Sequence, residues 1–164
     1  MRKTKSTIWL LVALSYPVMA ESTRIDLDTD PGHFSAWEVS DLSATSVEFK
    51  ATFLATKQNR KWAPTYSVEL IDNQGKSINF KGTFVGPILM SSAILPDDTR
   101  ETSNTNILKF NLKEQHAVSI SWSNGVVHVT DNGLEQDYPA GFSPTKLKIS
   151  CSTGELEVKD IVWH

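Results

Sequence analysis

The chain has one cysteine, Cys151, so no internal disulfide can form. Its four histidines, His33, His116, His128 and His164, show none of the H-x-H, H-E-x-x-H or C-x-x-C spacings that hold zinc. A G-x-S-x-G nucleophile elbow and a glycine-rich phosphate loop are also missing. No window keeps the i, i+3, i+4, i+7 apolar spacing of a helix for three turns. No apolar run reaches the ~20 residues that a membrane-spanning helix needs. Internal repeats and low-complexity linkers are absent, which points to one domain.

The longest greasy stretch lies at the start. Residues 1–20, "MRKTKSTIWLLVALSYPVMA", carry Arg2, Lys3 and Lys5 before an apolar run from Ile8 to Leu14. Val18 and Ala20 place small residues at the −3 and −1 positions of a cleavage site, the pattern of a secretory signal peptide. No cysteine follows the cut, so a bacterial lipid anchor is not expected. The expected mature protein is residues 21–164, exported to the periplasm or the medium. Its 144 residues suffice for a full hydrophobic core without a disulfide. Cleavage removes three basic residues and no acidic one, taking the formal charge from −3 to −6. An acidic surface repels phosphate backbones and anionic headgroups, which argues against nucleic-acid and membrane-surface partners. Cys151 reads as a small buried hydrophobe.

Short alternating segments fill the rest. In "SVEFKATFLA", Val47, Phe49, Ala51 and Phe53 share one face. "YSVELIDNQGKSINF" puts Tyr66, Val68 and Leu70 together, turns at Asp72–Gly75 and returns through Ile78 and Phe80. "ILKFNL" alternates Leu108, Phe110 and Leu112, and "KLKIS" and "ELEVKDIVW" close the chain. Such strands, separated by Gly, Pro, Asn and Asp turns, predict an all-β antiparallel sandwich or barrel. Trp37, Trp122 and Trp163 are assigned to its core.

The stretch "SISWSNGVVHVTDNGLEQDYP" fixes a register. A type I′ turn needs positive φ at both central residues, which Asn124-Gly125 and Asn132-Gly133 each supply. The first turn sets Trp122 opposite Val127 and Ile120 opposite Val129. The second sets His128 opposite Asp137 and Thr130 opposite Glu135. Ile120, Trp122, Val127 and Val129 then line the core, and Ser121, His128 and Thr130 face away.

A strand, "NG", a strand, "DNG", then "KLKIS", "STGE" and "VKDIVW" resembles the closing half of concanavalin A-like (laminin-G-like) jelly rolls. "YSVELIDNQG" is similar to a strand pair in that superfamily's carbohydrate-processing branches. The resemblance spans roughly residues 34–163. It implies an antiparallel two-sheet β-sandwich that binds sugars on a curved sheet or rim loops. Fold by itself does not establish that activity.

Three candidate sites follow. In "ELEVKD", Glu155, Glu157 and Asp160 resemble the E-x-D-x-x-E signature of jelly-roll glucanases, which need two carboxyls about 5–5.5 Å apart. Two of the three acids depart from that signature, and the segment forms the last strand, so a solvated strand face is the simpler reading. In "DLDTDPG", Asp26, Asp28 and Asp30 place oxygens at alternate positions, as in loops that bind a structural calcium. The glycine and terminal glutamate of an EF-hand are missing here. The third candidate is a sugar-binding surface. "NRKWAPTY" supplies Trp62 and Tyr66 as aromatic platforms beside Asn59 and Arg60. The loop 96–106 adds Asp97, Asp98, Arg100, Asn104 and Asn106, and His128 with Asp137 adds a polar pair.

The leading expectation is an exported, non-catalytic, lectin-like module with a glycan or polysaccharide partner. It needs no cofactor beyond a possible structural calcium. The alternatives are a glycosidase-type enzyme using the Glu155 set and a structural or adhesive extracellular protein.

Overall fold

The computed structural model describes residues 23–57, 61–96, 102–103 and 105–164. The expected signal peptide, and with it Asn59, Arg60, Asp97, Asp98, Arg100 and Asn104, lies outside the described residues. Twelve strands follow in order: β1 (Ile25–Asp28), β2 (Phe34–Ser40), β3 (Ser46–Thr56), β4 (Thr65–Ile71), β5 (Ser77–Val85), β6 (Ile88–Ile94), β7 (Thr102–Ser103), β8 (Gln115–Ser123), β9 (Val126–Asp131), β10 (Leu134–Pro139), β11 (Lys146–Ser152) and β12 (Gly154–Trp163). Among the described residues there is no helix, so none is long and apolar enough to cross a membrane.

The strands form two six-stranded sheets, ordered β1-β12-β3-β8-β9-β10 and β2-β11-β4-β5-β6-β7, with every strand pair antiparallel. The chain changes sheet at β1–β2, β2–β3, β3–β4, β7–β8, β10–β11 and β11–β12, which is a jelly-roll sandwich. Period-2 alternation builds the core. Val47, Phe49, Ala51 and Phe53 from β3 meet Tyr66, Val68 and Leu70 from β4, Ile78 and Phe80 from β5, and Leu147, Ile149 and Cys151 from β11. Ile120, Val127 and Val129 are fully buried and Trp122 nearly so, while Trp37 and Trp163 are half-buried against the core.

Both hairpin turns form as expected. Asn124 and Gly125 have φ of 50° and 74°, and Asn132 and Gly133 have 48° and 82°. Trp122 pairs with Val127, Ile120 with Val129, Thr130 with Glu135 and His128 with Asp137.

One expected strand is absent. "ILKFNL" crosses from the second sheet to the first as an irregular segment, linked to β3 by a single parallel bridge between Phe53 and Leu112. Leu108 and Lys113 adopt φ of 53° and 63°, which no continuous strand tolerates. Ile107, Leu108 and Phe110 still enter the core, whereas Leu112 stays exposed. Side-chain bonding from the opposite sheet replaces the ladder. The Tyr66 hydroxyl donates to the Leu108 carbonyl (2.8 Å) and accepts the Phe110 N–H (2.7 Å).

Tyr66 lies across Gly82, its partner on β5: a Cβ there would stand 2.1 Å from the ring. The last residue, His164, exchanges backbone bonds with Ser46, and its carbonyl also accepts the Thr45 N–H. That end of β12 is opposite to Gly154, which pairs with Thr56.

Candidate functional site

Connections crowd the end of the sandwich where β3 finishes and β4 begins. Ala63 and Pro64 lead into β4, and the Phe84 N–H donates to the Pro64 carbonyl (2.9 Å), tying this connection to β5. Phe84 stacks on Phe53 at 4.8 Å, so the floor under the connection is rigid core. Above it opens a groove of about 1000 Å³ whose walls include Lys61, Trp62, Pro64, Val85, Pro87 and Leu112. Trp62 is 57% exposed, in a chain whose other large aromatics mostly pack inward. Gly86, with φ of 62°, lets the β5–β6 turn close against it. The apolar surface continues onto the outward face of the second sheet through Val85, Ile88 and Met90, each more than half exposed.

Tyr66 does not join Trp62. It is 1% exposed, stacked on Phe110 at 4.7 Å, with its hydroxyl consumed by Leu108 and Phe110. Burial pushes its phenol pKa upward. Its expected role as a sugar platform is therefore corrected to a core role. The cause is strand alternation: Tyr66 shares the inward face with Val68 and Leu70, whereas Trp62 precedes the strand.

The polar candidates also separate. The His128 and Asp137 side chains hydrogen-bond across β9 and β10 on the outward face of the first sheet, away from the groove. Asn106 is exposed on a different, smaller pocket. Trp62, His128 with Asp137, and Asn106 thus occupy three places, not one constellation.

The carboxylates lie on the outward face of the first sheet. Register sets Asp26 opposite Glu157 and Asp28 opposite Glu155. Arg24 reaches Asp26 (3.1 Å) and Glu157 (2.9 Å), and Lys159 reaches Glu157 (3.3 Å). Lys57 bonds Asp28 and stands 3.8 Å from Asp30, and its ammonium pKa is raised chiefly by the Asp28 hydrogen bond. The protein's own cations thus neutralise Asp26, Asp28 and Asp30. Among the described residues no three His, Cys, Asp or Glu side chains are grouped to hold a metal ion.

Glu155, Glu157 and Asp160 do not line one cleft either. A β-bulge between Lys159 and Val162 displaces Asp160, which adopts φ of 55° and bonds Lys50 at 2.8 Å. That hydrogen bond holds its carboxyl below the usual range. Asp160 borders a depression that Phe49, Val118 and Val162 line together with Lys50, Ser119 and Thr130, remote in register from Glu155.

One pair was missed in the sequence. His116 and Asp131 are 5% and 2% exposed and joined Nδ1 to Oδ1 at 2.7 Å. Alternation with Val118 and Ile120, and with Val127 and Val129, was the signal that both face inward.

No protein-family model matches the chain, and no curated protein does. Solved structures match in fold. Galectin LEC-6 of Caenorhabditis elegans aligns with a TM-score of 0.52 at 12% identity, over 85% of this chain and 95% of its own. Galectin-Ib of Xenopus laevis gives 0.54 at 15% identity, over 79% and 100%. A protein described among the endo-acting O-glycanases that human gut microbiota express to initiate mucin breakdown gives 0.53 at 14% identity, over 89% and 80%. At these identities the similarity shows the fold: the chain is a concanavalin A-like jelly roll.

Proposed function

We propose that the protein is an exported, non-catalytic glycan-binding module whose ligand lies along the Trp62 groove. The observation that carries this reading is the exposed indole on a rigid floor, walled by Pro64, Val85, Pro87 and Leu112. A flat aromatic face complements the C–H patch of a pyranose ring, and adjoining backbone and side-chain polar groups orient its hydroxyls. Neighbours in fold that are named galectins and O-glycanases make a carbohydrate ligand the natural first test. Export rests on the N-terminal sequence pattern.

Glycan-array screening of the mature chain, followed by titration of tryptophan fluorescence, tests this reading. Covering ~100 Å² of the indole at ~25 cal/mol/Å² amounts to about 2.5 kcal/mol, so Trp62→Ala weakens binding roughly 50- to 100-fold. The melting temperature stays put because Trp62 contributes little to the core. Equal affinity of the variant and the parent overturns the assignment.

A second reading, a structural or adhesive subunit, is favoured by one observation: the apolar surface runs on past the groove through Ile88 and Met90. A stable large assembly in size-exclusion chromatography, without glycan affinity, selects it.

A further inference from the structure

The segment that supplies Leu112 to the Trp62 groove also supplies Lys109, Asn111 and Glu114 to a second pocket of about 260 Å³. Its other walls come from Asn106, Asn132 and the exposed Leu134, with the buried His116 and Asp131 on the inside. Elsewhere the inward faces of β8 and β9 are apolar, so an ionisable pair here calls for a reason.

Asp131 accepts the Nδ1–H of His116, which orients the ring and leaves Nε2 as its free pole. Nε2 is shielded from solvent and has no hydrogen-bond partner. A buried polar atom left without a partner costs about 1–3 kcal/mol, and native interiors rarely keep one. Nearby groups cannot relieve it. Phe110 packs against the imidazole at 5.2 Å, and the Tyr66 hydroxyl is already committed twice. One water, with its share of ~30 Å³, would not fill the pocket.

The chemistry of the walls narrows the ligand. An anion would meet Glu114 and Asp131; a cation would meet Lys109. The Asn106 amide, the Lys109 ammonium and the Glu114 carboxylate offer both donors and acceptors at the rim, while Asn111 is tied to Glu114 and Asn132 to the Gln115 and Ala117 backbone, and Leu134 adds an apolar contact. That mixture suits a neutral molecule dense in hydroxyls. We propose that this pocket binds a single hexopyranose ring, with one ring hydroxyl bonded to His116 Nε2. Because Nε2 is shielded, the hydroxyl reaches it as rim side chains shift. This site is separate from the Trp62 groove and does not depend on it.

The test is a titration of the mature protein with methyl glucopyranoside, galactopyranoside and mannopyranoside, and with glycerol, following imidazole nitrogen shifts by NMR. The expected result is saturable movement of the His116 Nε2 signal by at least one pyranoside with a millimolar-range Kd, while His33, His128 and His164 stay still. Asn106→Ala, on the exposed rim, then weakens binding about three- to tenfold, the worth of one hydrogen bond, without lowering the melting temperature. Trp62→Ala leaves the titration unchanged, so failure here and failure of the groove reading are distinguishable. His116→Gln abolishes binding; if that variant does not fold, Asn106→Ala decides alone. A His116 signal unmoved by every pyranoside, or an Asn106→Ala protein of parental affinity, overturns the proposal.

Discussion

Replacing Tyr66 with Phe removes one oxygen atom and tests how the crossing segment is held. The phenyl ring keeps its stacking on Phe110 and its seat over Gly82. What is lost is the bond donated to the Leu108 carbonyl and the bond accepted from the Phe110 N–H. Both backbone groups belong to residues 0–1% exposed, so neither recovers a partner without local opening. At about 1–3 kcal/mol per orphaned group, with partial relief as the segment relaxes, the loss comes to about 2–5 kcal/mol. Leu108 adds to it, because its φ of 53° is strained. For a chain of this size each kcal/mol shifts the melting temperature by ~2–4 °C, so a fall of roughly 4–20 °C is expected. Urea unfolding should show a lower midpoint with an unchanged slope, and the Phe110 amide should exchange much faster. A loss under ~0.5 kcal/mol would refute the reasoning, since the segment would then be held by apolar contacts alone.

Gly82→Ala forces a methyl to within 2.1 Å of a ring pinned at its hydroxyl; we expect a loss of about 3 kcal/mol or more in urea unfolding. Cys151 should resist thiol reagents at pH 8 in the folded protein and react on unfolding, because burial pushes its pKa up to about 11. The raised value also sets a sign. The folded state holds the thiol proton longer than the unfolded chain, so stability falls between pH ~9 and ~11 by up to about 3 kcal/mol, and Cys151→Ala flattens that part of the profile. Asp160→Asn keeps a residue tolerant of positive φ and should leave the urea midpoint nearly unchanged, since the Lys50 pair is exposed. In the parent that small contribution is present above the ordinary carboxylate range and fades as acid protonates Asp160.

Legibility followed the range of the forces involved. Asn124-Gly125 and Asn132-Gly133 carry their own conformational preference, and the residues beside them alternate, so both hairpins and their registers could be read directly. "ILKFNL" alternates just as well, yet its backbone bonds go to a hydroxyl more than forty positions earlier, and no local pattern reveals that. The alternation that placed Tyr66 with Val68 and Leu70 already argued against its use as a sugar platform. Trp62, outside any alternating run, was free to be exposed. The His116–Asp131 pair needed three facts together: two inward faces, one strand end and a diagonal neighbour. Charged residues near the last strand suggested chemistry by their order, but a bulge and nearby cations scatter and neutralise them.

The ladder that pins His164 beside Thr45 and Ser46 has a practical corollary. From Gly154 to that residue the final strand runs about 30 Å, so His164 stands at the pole opposite Trp62. A biotin, dye or carrier protein attached there would hold the molecule on a support with its indole pointing toward the sample. Attachment of this kind suits the binding assays above, because the tether cannot compete for the surface being measured.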